Sequence, residues 1–144
     1  MTASILPLES QAAPGPSSTP TGFVTGGVRT LIRIEGLAAF AAALFLYWHG
    51  GFSWAAFALF ILAPDLSMLA YLAGPRAGAI GYNLVHTYTL PLVLALAGFA
   101  GGVPVAGAGG LIWIAHIGID RLLGYGLKYS TAFGDTHLGR FRRS

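Results

Sequence analysis

Four apolar stretches, each about twenty residues long and separated by short runs of helix breakers, constrain this chain more than any other feature. They run from Leu31 to Trp48, Ser53 to Ala73, Gly78 to Phe99 and Pro104 to Leu123. A hydrocarbon core of about 30 Å is crossed by about 20 helical residues, and in lipid a helix satisfies its own backbone donors and acceptors. The links are His49-Gly50-Gly51, Gly74-Pro75-Arg76 and Gly101-Gly102-Val103-Pro104. Links this short make successive helices antiparallel. The expected fold is all-α: a polytopic membrane protein with four antiparallel transmembrane helices in a bundle.

Composition removes the soluble alternatives. Hydrophobic residues make up 55% of the chain and charged ones only 9%, with a mean hydropathy of +0.69, whereas a soluble domain is about 25% charged. The net charge of +3 does not point to nucleic acid, because Lys and Arg flank the apolar runs and form no stripe. Cysteine is absent, which excludes disulfides, thiolate nucleophiles and Cys-ligated metals. Residues 1–27 are rich in Pro, Ser, Thr and Gly and lack the basic start of a secretory signal; they read as a disordered cytoplasmic tail. Residues 28–125 form the transmembrane domain. Residues 126–144 read as a basic cytoplasmic tail, solvated because of its glycines and drawn to anionic inner-leaflet lipid. The alternative for that tail is that Asp135 and His137 reach back over the polar residues of the bundle.

Orientation follows from the cations, which are retained on the cytoplasmic side. Arg29 and Arg33 precede the first helix, Arg76 follows the second, and Arg121, Lys128, Arg140, Arg142 and Arg143 end the fourth or lie beyond it. Four crossings place all of them on one side. The expectation is a multi-pass protein of the cell membrane, in bacteria the inner membrane, with both termini cytoplasmic. Tyr47, Trp48 and Trp54 then lie at the outer interface, and homo-oligomers are open to a bundle with this much apolar surface.

Polar residues inside the stretches carry the chemistry. Glu35, Asp65, Tyr82, Asn83, His86, His116 and Asp120 all fall in the cytoplasmic half when alternate helices run in opposite directions. An acid at the centre of a membrane helix costs about 3 kcal/mol, so these groups are expected to face one another as one cluster, with Arg121 joining it or snorkelling to headgroups. Asn83 and His86 are spaced i, i+3, and His116 and Asp120 i, i+4, so each pair shares a helix face. Two imidazoles and one or two carboxylates match the ligand count of a catalytic divalent-metal site such as zinc. His86, His116 and Asp120 are the candidate ligands, with Asp65 a further ligand or, like Glu35, a catalytic carboxylate. The plainer alternative is a hydrogen-bonded network that locks the helices together. A metal-dependent hydrolase acting on a lipid or amphiphile, and a proton-coupled carrier, are the two active readings. Pro64 and Pro91 are expected to kink the second and third helices by freeing the carbonyls of Phe60 and Thr87.

Six blocks carry a resemblance. They are Arg33-Ile-Glu-Gly36, Ala63-Pro-Asp-Leu-Ser-Met-Leu-Ala-Tyr71, Tyr82-Asn-Leu-Val-His-Thr-Tyr88, Trp113-Ile-Ala-His-Ile-Gly-Ile-Asp-Arg121, Gly124-Tyr-Gly-Leu-Lys-Tyr129 and Asp135-Thr-His-Leu-Gly-Arg140. In this order, over about Leu31 to Arg140, the chain resembles the small bacterial membrane proteins of domain-of-unknown-function family 4260. That resemblance implies an integral membrane protein and no particular activity. Its blocks coincide with the polar residues above and add Asp135 and His137 to them.

Overall fold

Each proline in the apolar part of the chain sits in the first turn of a helix, where its missing N–H breaks no bond. The prolines therefore decide where helices start. A computed structural model describes residues 22–140. Helix α1 is Gly26–His49, unbroken. Helix α2, Trp54–Phe60, is capped by Ser53, whose hydroxyl accepts from the Ala56 N–H at 3.3 Å. It stops short of Pro64, and the chain continues as a 3-10 helix over Ala63–Ala73. Helix α3 is Pro75–Val85, α4 is Thr89–Ala100 and α5 is Pro104–Leu123. A hairpin of β1, Asp135–Thr136, and β2, Gly139–Arg140, completes the elements.

The two kinks expected at Pro64 and Pro91 are thus full breaks. Because a 3-10 helix rises about 2.0 Å per residue against 1.5 Å in an α-helix, α2 and the 3-10 helix together still reach about 30 Å. Among the described residues, three segments are long and apolar enough to cross a membrane: Gly26–His49, Trp54–Ala73 and Pro75–Ala100. The expected fourth, α5, is not among them. Its length is about 30 Å, so polarity is the cause: Gly107, Gly109, Gly110, Gly118, His116, Asp120 and Arg121 all lie on it. Such a helix is tolerable because it is central. Leu111, Ile112, Ile114, Ala115 and Ile117 on α5 are buried, whereas the three apolar segments turn side chains such as Leu31, Leu59, Leu72 and Leu96 outward.

Helix α5 packs between α1 and α4, and the 3-10 helix packs on α3. Small residues set the closeness. A Cβ on Gly36 would lie 2.8 Å from the Gly118 carbonyl oxygen, and one on Gly118 would lie 2.7 Å from the Phe40 nitrogen. A Cβ on Gly110 would lie 2.6 Å from the Ala95 nitrogen. Between helices in lipid, where no hydrophobic effect acts, such backbone approach is what packing requires. Near the other end Tyr47 is buried and donates to the Ser53 carbonyl at 2.6 Å, so it is a core residue rather than an interfacial one; Trp48 and Trp54 are exposed.

Residues 126–140, the described part of the expected solvated tail, form with Gly124 and Tyr125 a cap over the end of the bundle. Helix α5 ends on Gly124 at φ +97, whose N–H returns to the carbonyls of Asp120 and Arg121. Asn83 on α3 then binds the Lys128 backbone twice, donating from Nδ2 to its carbonyl at 2.9 Å and accepting its N–H on Oδ1 at 2.7 Å. The Leu127 N–H donates to Nδ1 of His137 at 2.8 Å, and Leu138 is fully buried. The glycines that suggested mobility serve close contacts instead: a Cβ on Gly126 would lie 2.6 Å from His137 Nδ1. Of residues 1–27, expected to be disordered, 1–21 lie outside the described residues, whereas 22–27 are ordered and α1 already begins at Gly26. From Gly22 onward the chain is docked on the cap, Val24 donating to the His137 carbonyl and Tyr129 to that of Gly22.

Candidate metal centre

The cluster arises where the apolar segments are interrupted. Helix α3 ends at Val85, and His86 follows as its C-cap. The 3-10 helix begins at Ala63 and presents Asp65 in its first turn. Unbroken α5 supplies His116 and Asp120 one turn apart. One donor atom from each of these four residues lies within 4.8 Å of all the others. The Nε2 atoms of His86 and His116 are 3.1 Å apart; each is 3.5 Å from Asp65 Oδ1 and 3.7 Å from Asp120 Oδ2. Four ligands about 2.0–2.1 Å from a tetrahedral zinc stand about 3.3 Å apart, so these spacings surround a volume the size of one ion.

Irregular backbone in an apolar region leaves carbonyls to be satisfied, and α5 satisfies them. Trp113 Nε1 donates to the Val85 carbonyl at 2.7 Å, and Arg121 Nη2 donates to that of His86 at 3.0 Å. Arg121 is buried, and its Nη1 donates to the Tyr125 carbonyl. It ties the break in the third segment to the cap and does not snorkel. His86 Nδ1 is 2.9 Å from the Tyr82 carbonyl. A carbonyl only accepts, so Nδ1 carries the proton and Nε2 offers its lone pair to the centre. Tyr82 stacks on the His86 ring at 3.7 Å between centroids and donates its hydroxyl to Asp120 Oδ2 at 3.3 Å.

Exposure separates the four. The imidazoles are 1% and 2% exposed, while the side chains of Asp120 and Asp65 are 15% and 32% exposed. Both carboxylates face a cavity of about 790 Å³ under the cap, bordered also by Met68, Tyr82, Tyr125, Lys128 and Phe133. The arrangement is a nitrogen-rich floor with an open carboxylate side. Lys128 overhangs it, its Nζ 3.5 Å from the Phe133 ring centroid and 4.9 Å from that of Tyr82, donating to the Phe133 carbonyl at 3.0 Å. Burial pulls the Lys128 ammonium below its ordinary value, against the opposing pull of Asp120 and Asp65.

Of the expected site residues, His86, His116, Asp120 and Asp65 converge, and Tyr82, Asn83 and Arg121 brace them. Glu35 does not join. It is exposed on α1 and lies outside the group of four, because Gly36 is the residue that α1 turns onto α5. Asp135 and His137 also stay out of the centre and build the cap, where Asp135 pairs with Arg140. Sequence reasoning missed Trp113 and Lys128. A Trp one turn before His116 was a usable signal, since a buried indole N–H requires an acceptor; Lys128 had none, as its approach depends on the folded cap.

A family model, Domain of unknown function (DUF4260), matches residues 29–141. The match takes in every residue of the centre and the cap up to Arg140. No curated protein and no solved structure matches the chain.

Proposed function

The chain belongs to the DUF4260 family, whose description assigns no activity, so the site must carry the reading, and we propose a membrane-embedded, divalent-metal-dependent hydrolase acting on an amphiphile. The observation behind it is the convergence of four ligand atoms from three separate elements within 4.8 Å, closed on the imidazole side and open on the carboxylate side. His86, His116 and Asp120 are the ligands. Asp120 earns that role by sitting on unbroken α5 with the Tyr82 hydroxyl on one oxygen. Asp65, the more exposed carboxylate, is the general base.

A bound divalent ion supplies Lewis acidity and lowers the pKa of a bound water. Water oxygen bonds to the acyl or phosphoryl centre of the ester and the bond to the leaving oxygen breaks. The proton taken from water reaches that oxygen by way of the Asp65 carboxylate. The chain lies in the cell membrane with both termini cytoplasmic, α5 returning through the middle of the bundle so that the cap and the cavity meet the inner leaflet. A proton carrier is less well supported, because the groove beyond the centre is bordered by Val85, Val105, Ala108 and Ile112 and offers no polar path.

The 3.1 Å approach of the two Nε2 atoms favours one rival, a metal-free hydrogen bond that only locks helices. Elemental analysis of detergent-purified protein, before and after titration with zinc and manganese, decides between them. One ion per chain is expected, lost in both His86→Ala and His116→Ala. Folded protein that binds neither metal removes the hydrolase reading and leaves the lock.

A further inference from the structure

Lys128 is the one cation among the described residues on the border of the cavity under the cap, a border it shares with Asp65 and Asp120. An ammonium set beside two carboxylates ordinarily closes on one of them. Here, among the described residues, no carboxylate oxygen comes within 4.0 Å of its Nζ. Other groups hold the ammonium back. It donates to the Phe133 carbonyl at 3.0 Å and lies 3.5 Å, 4.9 Å and 5.7 Å from the ring centroids of Phe133, Tyr82 and Tyr71. Asn83 fixes the Lys128 backbone separately. An ammonium has more than one hydrogen to donate, so the cation faces the acids across the cavity and keeps donors for a ligand between them.

Charge decides what that ligand is. With neutral imidazoles, Asp65, Asp120 and Lys128 leave one negative charge in excess, and a divalent ion among the four ligands turns this into one positive charge in excess. In surroundings of low dielectric such an excess draws an anion. A carboxylic ester is neutral and leaves Lys128 unmatched, and a cationic head group adds to the excess. A phosphate ester carries ionised oxygens on the group that reacts, and these accept from an ammonium.

We propose that the ester acted on at this centre is a phosphate ester of an amphiphile, its ionised phosphoryl oxygens between the metal ligands and the Lys128 ammonium. This rests on the metal-dependent reading above and narrows its acyl or phosphoryl centre to phosphoryl, with Lys128 as the residue that selects it. The head group occupies the cavity under the cap alone; the groove behind the closed imidazoles takes no part.

Binding tests it without turnover. Zinc-loaded protein in a neutral detergent is titrated with octylphosphonate, whose C–P bond is not hydrolysed, and with octyltrimethylammonium, octyl methyl ketone and inorganic phosphate. Zinc content is read on each sample. Octylphosphonate is expected to bind at least about tenfold tighter than the other three. Lys128→Met keeps both Asn83 bonds, which go to the backbone. It is expected to weaken octylphosphonate about tenfold and, by removing a like charge, to tighten zinc several-fold, two changes of opposite sign. Lys128→Arg is expected to change neither by as much. A cationic or neutral octyl compound that binds as well as octylphosphonate overturns the proposal, and inorganic phosphate that binds as well overturns its amphiphile. A Lys128→Met protein that loosens zinc and octylphosphonate together reports a damaged cap and contradicts the charge account. A chain that takes up no zinc removes the premise, and that failure shows as missing metal rather than as lost discrimination among ligands.

Discussion

Trp113 shows how much a single side chain contributes to the centre. Its indole donates at 2.7 Å to a carbonyl that the end of α3 has left without a helical partner, immediately before His86. A buried carbonyl stripped of its donor costs about 1–3 kcal/mol, and the His86 backbone loses one of its two braces, the other being Arg121. Trp113→Phe keeps the apolar bulk and removes only the donor. It is expected to lower stability by about 1–3 kcal/mol and to weaken zinc binding about 10- to 100-fold, as outer-shell losses do. Thermal unfolding and zinc titration of the variant check both, and unchanged values in the two measurements contradict the bracing role. The same reasoning separates the acids: Asp120 is held by Tyr82 and by rigid α5, whereas Glu35 has the wrong azimuth on α1 to reach either imidazole.

Among the elements, the cap is one whose stability responds to pH. The side chains of Arg140 and Thr131 donate to the Asp135 carboxylate and hold its pKa below the ordinary carboxylate value. A depressed folded pKa stabilises the ionised form, so this contribution is complete above the ordinary Asp value of about 3.9 and is lost as the pH falls through the lower folded value. Burial also holds the His137 imidazole of the cap below its ordinary value, and its Nδ1 accepts the Leu127 N–H, so protonation costs the cap stability once the pH falls below about 6.5. Backbone amide protection at Thr136 and Leu138, followed by hydrogen exchange, is expected to decline from about pH 6.5 and to fall further below about 4. In Asp135→Asn the protection is expected to be weaker near neutrality and to lose the further fall. A wild-type profile with no further fall between pH 4 and 2 removes the carboxylate from the account. Gly118 makes the same point for α5: any side chain there meets the backbone of Phe40, so the crossing with α1 is fixed by a missing methyl group.

Across the whole molecule, the described cations gather at one end. Arg33 donates to the Leu122 carbonyl, Lys128 is bound by Asn83, and Tyr71, five residues before Arg76, packs on Phe133 of the cap. The start of α1, the link before α3 and the end of α5 therefore share one side, and the links after α1 and α4 share the other. With basic residues kept inside, the first of these sides is expected to be cytoplasmic. The absence of native cysteine makes the check direct. Single cysteines in His49→Cys and Val103→Cys are expected to react with an impermeant maleimide added to intact cells, and those in Ala73→Cys and Ser130→Cys only after the cells are opened. Labelling of both Val103→Cys and Ser130→Cys from outside contradicts a return crossing by α5.

The apolar lengths, the breakers between them and the placement of Arg and Lys are local properties, so the helical class, three of the four segments expected to span, and the grouping of His86, His116, Asp120 and Asp65, though with Glu35 added to it, could be read from residues alone. Periodicity and depth sufficed for these, because each is a statement about one helix or about distance along it. Three outcomes depended on contacts between helices. Helix α5, expected to face lipid as a fourth span, is instead covered along much of its length by its neighbours. Glu35 is excluded because Gly36 takes the contact with α5. The glycine-rich stretch after Gly124 is ordered because Asn83, forty-five residues upstream of Lys128, supplies the hydrogen bonds that hold it. Hydropathy reports what a segment needs from its surroundings; only the packed structure decides whether lipid, water or another part of the chain provides it.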